Sequence, residues 1–148
     1  MGLACPAVDI LSPPDEFDAM VEWFERVSQN LVLLEQYPLA DVRRALEVFS
    51  LAVREHIRTS SVSFLLPESP DGELSRPRST LLADHVWFAT SLEQLDGVYG
   101  VVAGDDHGGH RQALGQYGLV LAEALRRHRN DERSYLGAVR RASPAPPP

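Results

Sequence analysis

The chain contains no lysine: all fourteen of its basic residues are arginine. That excludes Schiff-base chemistry, a lysine general base and the lysine of a phosphate-binding P-loop. Isoleucine and asparagine are also scarce, two of each, and the bias fits a GC-rich coding sequence of bacterial or large-DNA-virus kind better than a functional choice. The one cysteine, Cys5, has no second thiol within the chain for a disulfide or a thiolate metal cluster. A reducing, cytoplasmic setting is the expectation. No window reaches the ~18 consecutive apolar residues of a membrane span, and no basic stretch followed by an apolar run marks the start of the chain, so no membrane contact is expected. Positive charge is short as well. Fourteen basic against 21 acidic residues leave a net charge of -7, which argues against nucleic acid and anionic membranes as partners. Only Arg126, Arg127 and Arg129 form a local basic patch.

What remains is an ordinary globular composition, 44% hydrophobic and 24% charged over 148 residues, enough for one domain with one core. Apolar residues recur at helical spacing in four stretches. Phe17, Met20, Phe24, Val27, Leu31 and Leu34 step by three and four, after a start at Ser12, Pro13 and Pro14 with Ser12 as the cap. Tyr37 and Pro38 break the pattern. A second helix is expected over Leu39–Arg58, with Val42, Ala45, Phe49, Ala52 and His56 on its stripe. From Thr59 to Ser79 serine, proline and glycine dominate, and a long loop is expected there, with room for a short strand at Val62, Phe64 and Leu66. Leu81, His85, Phe88, Leu92, Leu95, Tyr99 and Val102 mark a third helix, and His110, Leu114, Tyr117, Leu121, Ala124 and His128 a fourth. Short links within the first and last pairs predict an all-α, up-down-up-down four-helix bundle with a long loop between helices 2 and 3. The domain plan is a loose leader over 1–12, the bundle over 13–133 and a flexible proline-rich tail over 134–148.

All five histidines, His56, His85, His107, His110 and His128, are read as falling on the same three-four spaced stripes as the apolar residues. An imbedded imidazole that finds no partner costs roughly 1 to 3 kcal/mol. Along the helix axes His56 and His85 come out at about the same height, near 24 and 27 Å, and His128 about a turn further on. Three facing imidazoles with Asp84 beside them, and Asp18 or Glu22 within reach, suit a divalent transition metal such as zinc, iron or nickel. The competing expectation gives the same histidines a structural role at half-wet ends of core stripes, with no cofactor. The Glu-x-x-His pairs of di-iron carboxylate bundles are absent.

Two further groupings stand out. In Asp105-Asp106-His107-Gly108-Gly109-His110-Arg111 an acidic pair opens the fourth helix with Asp106 as its expected cap, and Gly108, Gly109, His110 and Arg111 could hold an anion at its positive end. Arg111, Gly115, Gly118 and Ala122 form a stripe of mostly small residues, expected to meet either another helix of the chain or another subunit. Arg78 and His85 are separated by six intervening residues, a pattern that resembles the arginine–histidine pair of small helical ribonucleases of the HEPN type. Ser79 follows the arginine here, where a polar amide or acid would be expected. The leading expectation is a helical-bundle protein acting by protein–protein interaction, with another protein or itself, in an oligomer. A metal-binding protein or metal-dependent enzyme built on His56, His85 and His128 is the alternative, and a HEPN-like ribonuclease the second alternative.

Overall fold

The computed structural model describes residues 8–65 and 72–142, with the backbone alone at 64 and 65. Residues 1–7 of the leader with Cys5, the stretch 66–71 with Pro67 and Pro70, and 143–148 of the tail lie outside the described residues. Four helices account for nearly all the rest: α1 (Phe17–Val32), α2 (Leu39–Leu65), α3 (Ser75–Gly104) and α4 (Gly108–Ala142), with a 3-10 turn at Gly72–Leu74. Each helix packs on the next, and α1 closes the ring against α4 in the most intimate of these contacts. The fold is the all-α, up-down-up-down bundle that the four stripes dictate, with no strand among the described residues.

The core follows from those stripes. Phe24, Val27 and Leu31 of α1, Val42, Phe49 and Val53 of α2, Phe88, Leu92 and Leu95 of α3, and Leu114, Leu121 and Leu125 of α4 are all buried. Phe24 and Phe49 stack with ring centroids 3.6 Å apart. On α4 the buried face is rotated from the expected one. Arg111, Gly115, Gly118, Ala122 and Leu125 share it, whereas Tyr117 and Ala124 lie at its margin. The reason is the α1 contact: a Cβ on Gly115 would come within 2.5 Å of the Ser28 carbonyl oxygen, and one on Gly118 within 2.2 Å of Ser28 Oγ. The small-residue stripe is therefore where α1 lies against α4, and α1 occupies the face that a second subunit would have used.

Several boundaries differ from the sequence reading for local reasons. The first helix starts at Phe17, capped by the Glu16 carboxylate, which accepts from the amides of Asp18 and Ala19. Ser12 donates its hydroxyl to Asp9 instead, in a turn that also takes the Leu11 amide. Residues 8–12 are accordingly anchored: Ile10 is buried and Trp23 Nε1 donates to the Asp9 carbonyl at 3.0 Å. The irregular stretch after helix 2 is narrower than 59–79. Helix covers 59–65, where a short strand had room to form, and α3 already begins at Ser75. Thr59 and Ser63 satisfy their hydroxyls within the helix by bonding back to the Glu55 and Thr59 carbonyls. At the other end α4 runs on through Ala142, with Tyr135 packed on Leu81.

Candidate metal centre

These extensions matter because they bring polar residues into register at one end of the bundle. Continuing α2 past Arg58 places Ser60 one turn beyond His56 on the same face, and continuing α4 past Asn130 places Glu132 one turn beyond His128. Five polar residues are then gathered inside the bundle end: His85, His128, Glu132 and Ser60 are buried, and His56 nearly so.

The Glu132 carboxylate is the hub. Its Oε2 lies 3.0 Å from His56 Nε2 and 3.2 Å from His128 Nε2. Ser60 Oγ stands 3.1 Å from the same His56 nitrogen and 3.4 Å from Glu132 Oε2. The other carboxylate oxygen, Oε1, accepts from Arg129 at 2.5 Å, and Arg129 Nε donates to Asp18 Oδ1 at 2.8 Å. On the far side, Asp84 Oδ2 accepts from His128 Nδ1 at 3.0 Å. His128 Nε2 also stands 3.2 Å from His85 Nε2, and His85 Nδ1 stands 3.0 Å from Ser61 Oγ. Phe17 stacks flat on His56, with ring centroids 4.2 Å apart, and Phe88 meets His128 edge to face.

The electrostatics divide the histidines. Burial, with the neighbouring His128 and His56, pushes the His85 imidazole down to about 4, so it is neutral at physiological pH. Burial would depress His128 too, but its hydrogen bonds to Glu132 and Asp84 and their charges outweigh that, and its pKa lies above the ordinary value. Glu132 is held well below the carboxylate range: burial opposes ionisation, while His128, His56 and Arg129 overcome it. With a proton on Nδ1 His128 donates to Asp84, and its Nε2 stands within hydrogen-bond reach of both Glu132 Oε2 and His85 Nε2.

His56 Nε2, His128 Nε2 and Glu132 Oε2 are three donor atoms lying within 4.8 Å of one another. In a tetrahedral site with bonds near 2.0–2.1 Å, neighbouring donors stand roughly 3.3 Å apart, so the separations of 3.0 and 3.2 Å to Glu132 are close to what a metal requires. Of the residues expected to share a metal, His56 and His128 converge. His85 touches His128 but falls outside the group of three, and Asp84 binds the outer nitrogen of His128, where it fixes the ring and its tautomer. Glu132, Ser60, Ser61 and Arg129 were not foreseen. The His128–Glu132 spacing of four was the available signal, lost because the apolar stripe fades after Asn130.

The opposite end is arranged differently. Asp106 holds Arg111 in two hydrogen bonds of 2.6 and 2.9 Å, and Arg111 also donates to the Tyr37 carbonyl. His107 Nδ1, rather than Asp106, caps α4 by accepting from the amides of Gly109 and His110. The expected anion site at Gly108, Gly109, His110 and Arg111 is thus filled by the chain's own groups. Asp105, His107 and His110 also lie close enough to chelate, but a neutral His107 that accepts at Nδ1 carries its proton on Nε2, which removes that lone pair. Arg78 lies two turns before His85 on α3, and His85 faces Ser61 and His128 in the interior, with no edge offered to an RNA phosphate.

No protein-family model, curated protein or solved structure matches the chain.

Proposed function

We propose that this protein binds one divalent transition metal at the bundle end, through His56, His128 and Glu132. The observation that carries this is the convergence of two imidazole nitrogens and one carboxylate oxygen, each already aimed by an outer partner. Asp84 orients His128, Arg129 orients Glu132 and Phe17 fixes the plane of His56. Outer partners of this kind are what metal ligands require. The bland alternative is a core that happens to be polar. Replacing a buried charged cluster by apolar side chains is often neutral or stabilising, so a bundle end needing only stability would do as well with leucine. Two imidazoles and a carboxylate suit zinc or iron(II), and three protein donors leave a position for water. A metal held there would lower the pKa of that water or polarise a bound substrate oxygen. An interaction role would rest on Val86, Trp87 and Val120, which are exposed on α3 and α4, Trp87 and Val120 lining one cavity with Phe88 and Ala124; exposed apolar side chains are ordinary on any surface, and the buried cluster is not.

The test is elemental analysis and titration of purified protein with zinc and with iron(II). One equivalent should bind, and Glu132→Gln and His128→Gln should each lower affinity by orders of magnitude. No saturable binding in the unmodified protein, or equal binding by both variants, would overturn the reading.

A further inference from the structure

We propose that the first turn of α1 is a seal over the metal centre, and that metal enters and leaves when this turn frays; the proposal rests on the metal reading above. Helix α1 contributes no donor to the centre, yet it closes it. Of the three donor residues, His56 is the one that reaches the surface, its side chain 13% exposed against 1% for His128 and 5% for Glu132. A cavity between α3 and α4 reaches His128 from its outer side, where Asp84 holds Nδ1; on the α1 side the way in runs along His56, and Phe17 covers that ring. Arg129 sits 5.8 Å over the Phe17 ring and joins Asp18 to Glu132, so one side chain holds both the cover and the central carboxylate. Asp18 accepts from Arg133 as well.

The cover is also the part of α1 best suited to open. Terminal helical turns have the lowest opening free energies in a folded protein. The cap here is a glutamate, which is not among the residues that cap most strongly. Pro13 and Pro14, separated from it by Asp15, donate no amide hydrogen bond to hold the turn from outside. When the turn unwinds, Phe17 leaves His56 and Asp18 releases Arg129, while all three donors stay on α2 and α4. Opening therefore changes access without dismantling the centre.

The experiment uses cobalt(II), whose visible spectrum reports its coordination, and follows its loss to excess EDTA. Asp18→Asn keeps size and shape but removes the charge that grips Arg129 and Arg133. Phe17→Leu keeps apolar burial but removes the flat cover. Each should still take up one equivalent of cobalt, Asp18→Asn with the spectrum of the unmodified protein, and release it at least about tenfold faster, a factor within reach of two ion pairs and a stacked ring. Arg26→Gln, which breaks the exposed pair with Glu22 further along α1, should leave the release rate unchanged. Unchanged rates in both seal variants, with cobalt bound normally, would overturn the seal and leave the metal reading intact. Faster release in Arg26→Gln to the same degree would overturn it too, by showing general loosening of α1. Failure of the unmodified protein to bind cobalt would sink the metal reading and the seal with it.

Discussion

Asp84 illustrates how a single residue's role depends on which atom it meets. Its place beside the three imidazoles suggests a ligand, but the carboxylate reaches His128 Nδ1, while Nε2 is the atom that faces Glu132. A proton on that nitrogen leaves Nε2 as the coordinating atom, and the negative charge makes the ring a better donor. Asp84→Asn keeps the shape but loses the charge and can present its amide to Nδ1 instead. Metal affinity should fall about 10- to 100-fold, the usual cost of removing such a partner, with one equivalent still bound. Isothermal titration of Asp84→Asn with zinc measures this. Affinity equal to that of the unmodified protein would mean that Asp84 does not orient the ligand. The histidines themselves were legible because each sits on an apolar stripe. Glu132 and Ser60 were not, because a polar residue past the end of a fading stripe looks like solvated surface until a partner helix is placed over it.

Elements were easier to read than their packing. Periodicity locates four helices, since it depends only on side-chain direction along one chain. Which face of α4 meets α1 depends on two glycines whose role appears only when α1 is in place. Gly115→Ala would drive a Cβ into backbone atoms, the Ser28 carbonyl at 2.5 Å and the Val32 amide nitrogen at 2.9 Å. The helices must separate, costing about 1 to 3 kcal/mol, which outweighs the helix-propensity gain of about 1 kcal/mol for alanine. Gly97→Ala and Gly100→Ala on α3 are the counterpart, with nothing within 4 Å of the added methyl. Each should stabilise by about 0.5 to 1 kcal/mol. Chemical denaturation of the three variants should give opposite signs. A stabilised Gly115→Ala would show that α1 and α4 are not in this close contact. The turn after α1 is another feature that periodicity hides. Leu34 adopts φ 60° where glycine is usual, and the amides of Leu34 and Glu35 bond back to Leu31 and Asn30. Its side chain lies near Gly108 at the start of α4 and remains partly exposed.

For the whole molecule, the buried cluster ties stability to pH in a way that follows from the directions of its shifts. His128 has a raised pKa in the fold, so its contribution is complete below the ordinary 6.5 and is lost as pH rises through the folded value. Glu132 has a lowered one, and its contribution is present above the ordinary 4.5 and is lost as pH falls. His85 acts in between. Between pH 6.5 and about 4 an unfolded chain takes up a proton there that the folded protein refuses, so the fold loses stability over that window. The metal-free protein should therefore be most stable slightly below neutrality and lose Tm on both sides. Net charge works against the acid limb: the chain carries -7 at neutrality, and acidification first relieves that self-repulsion. A variant separates the two effects. His85→Gln still offers hydrogen-bonding groups to Ser61 and His128 but cannot titrate, so its Tm should be lower at pH 7 and fall less steeply between pH 6.5 and 4.5. Scanning calorimetry of both proteins in the presence of a chelator decides the matter. Parallel Tm profiles across that window would mean that His85 is not the neutral, buried imidazole on which the proton arrangement of the site depends.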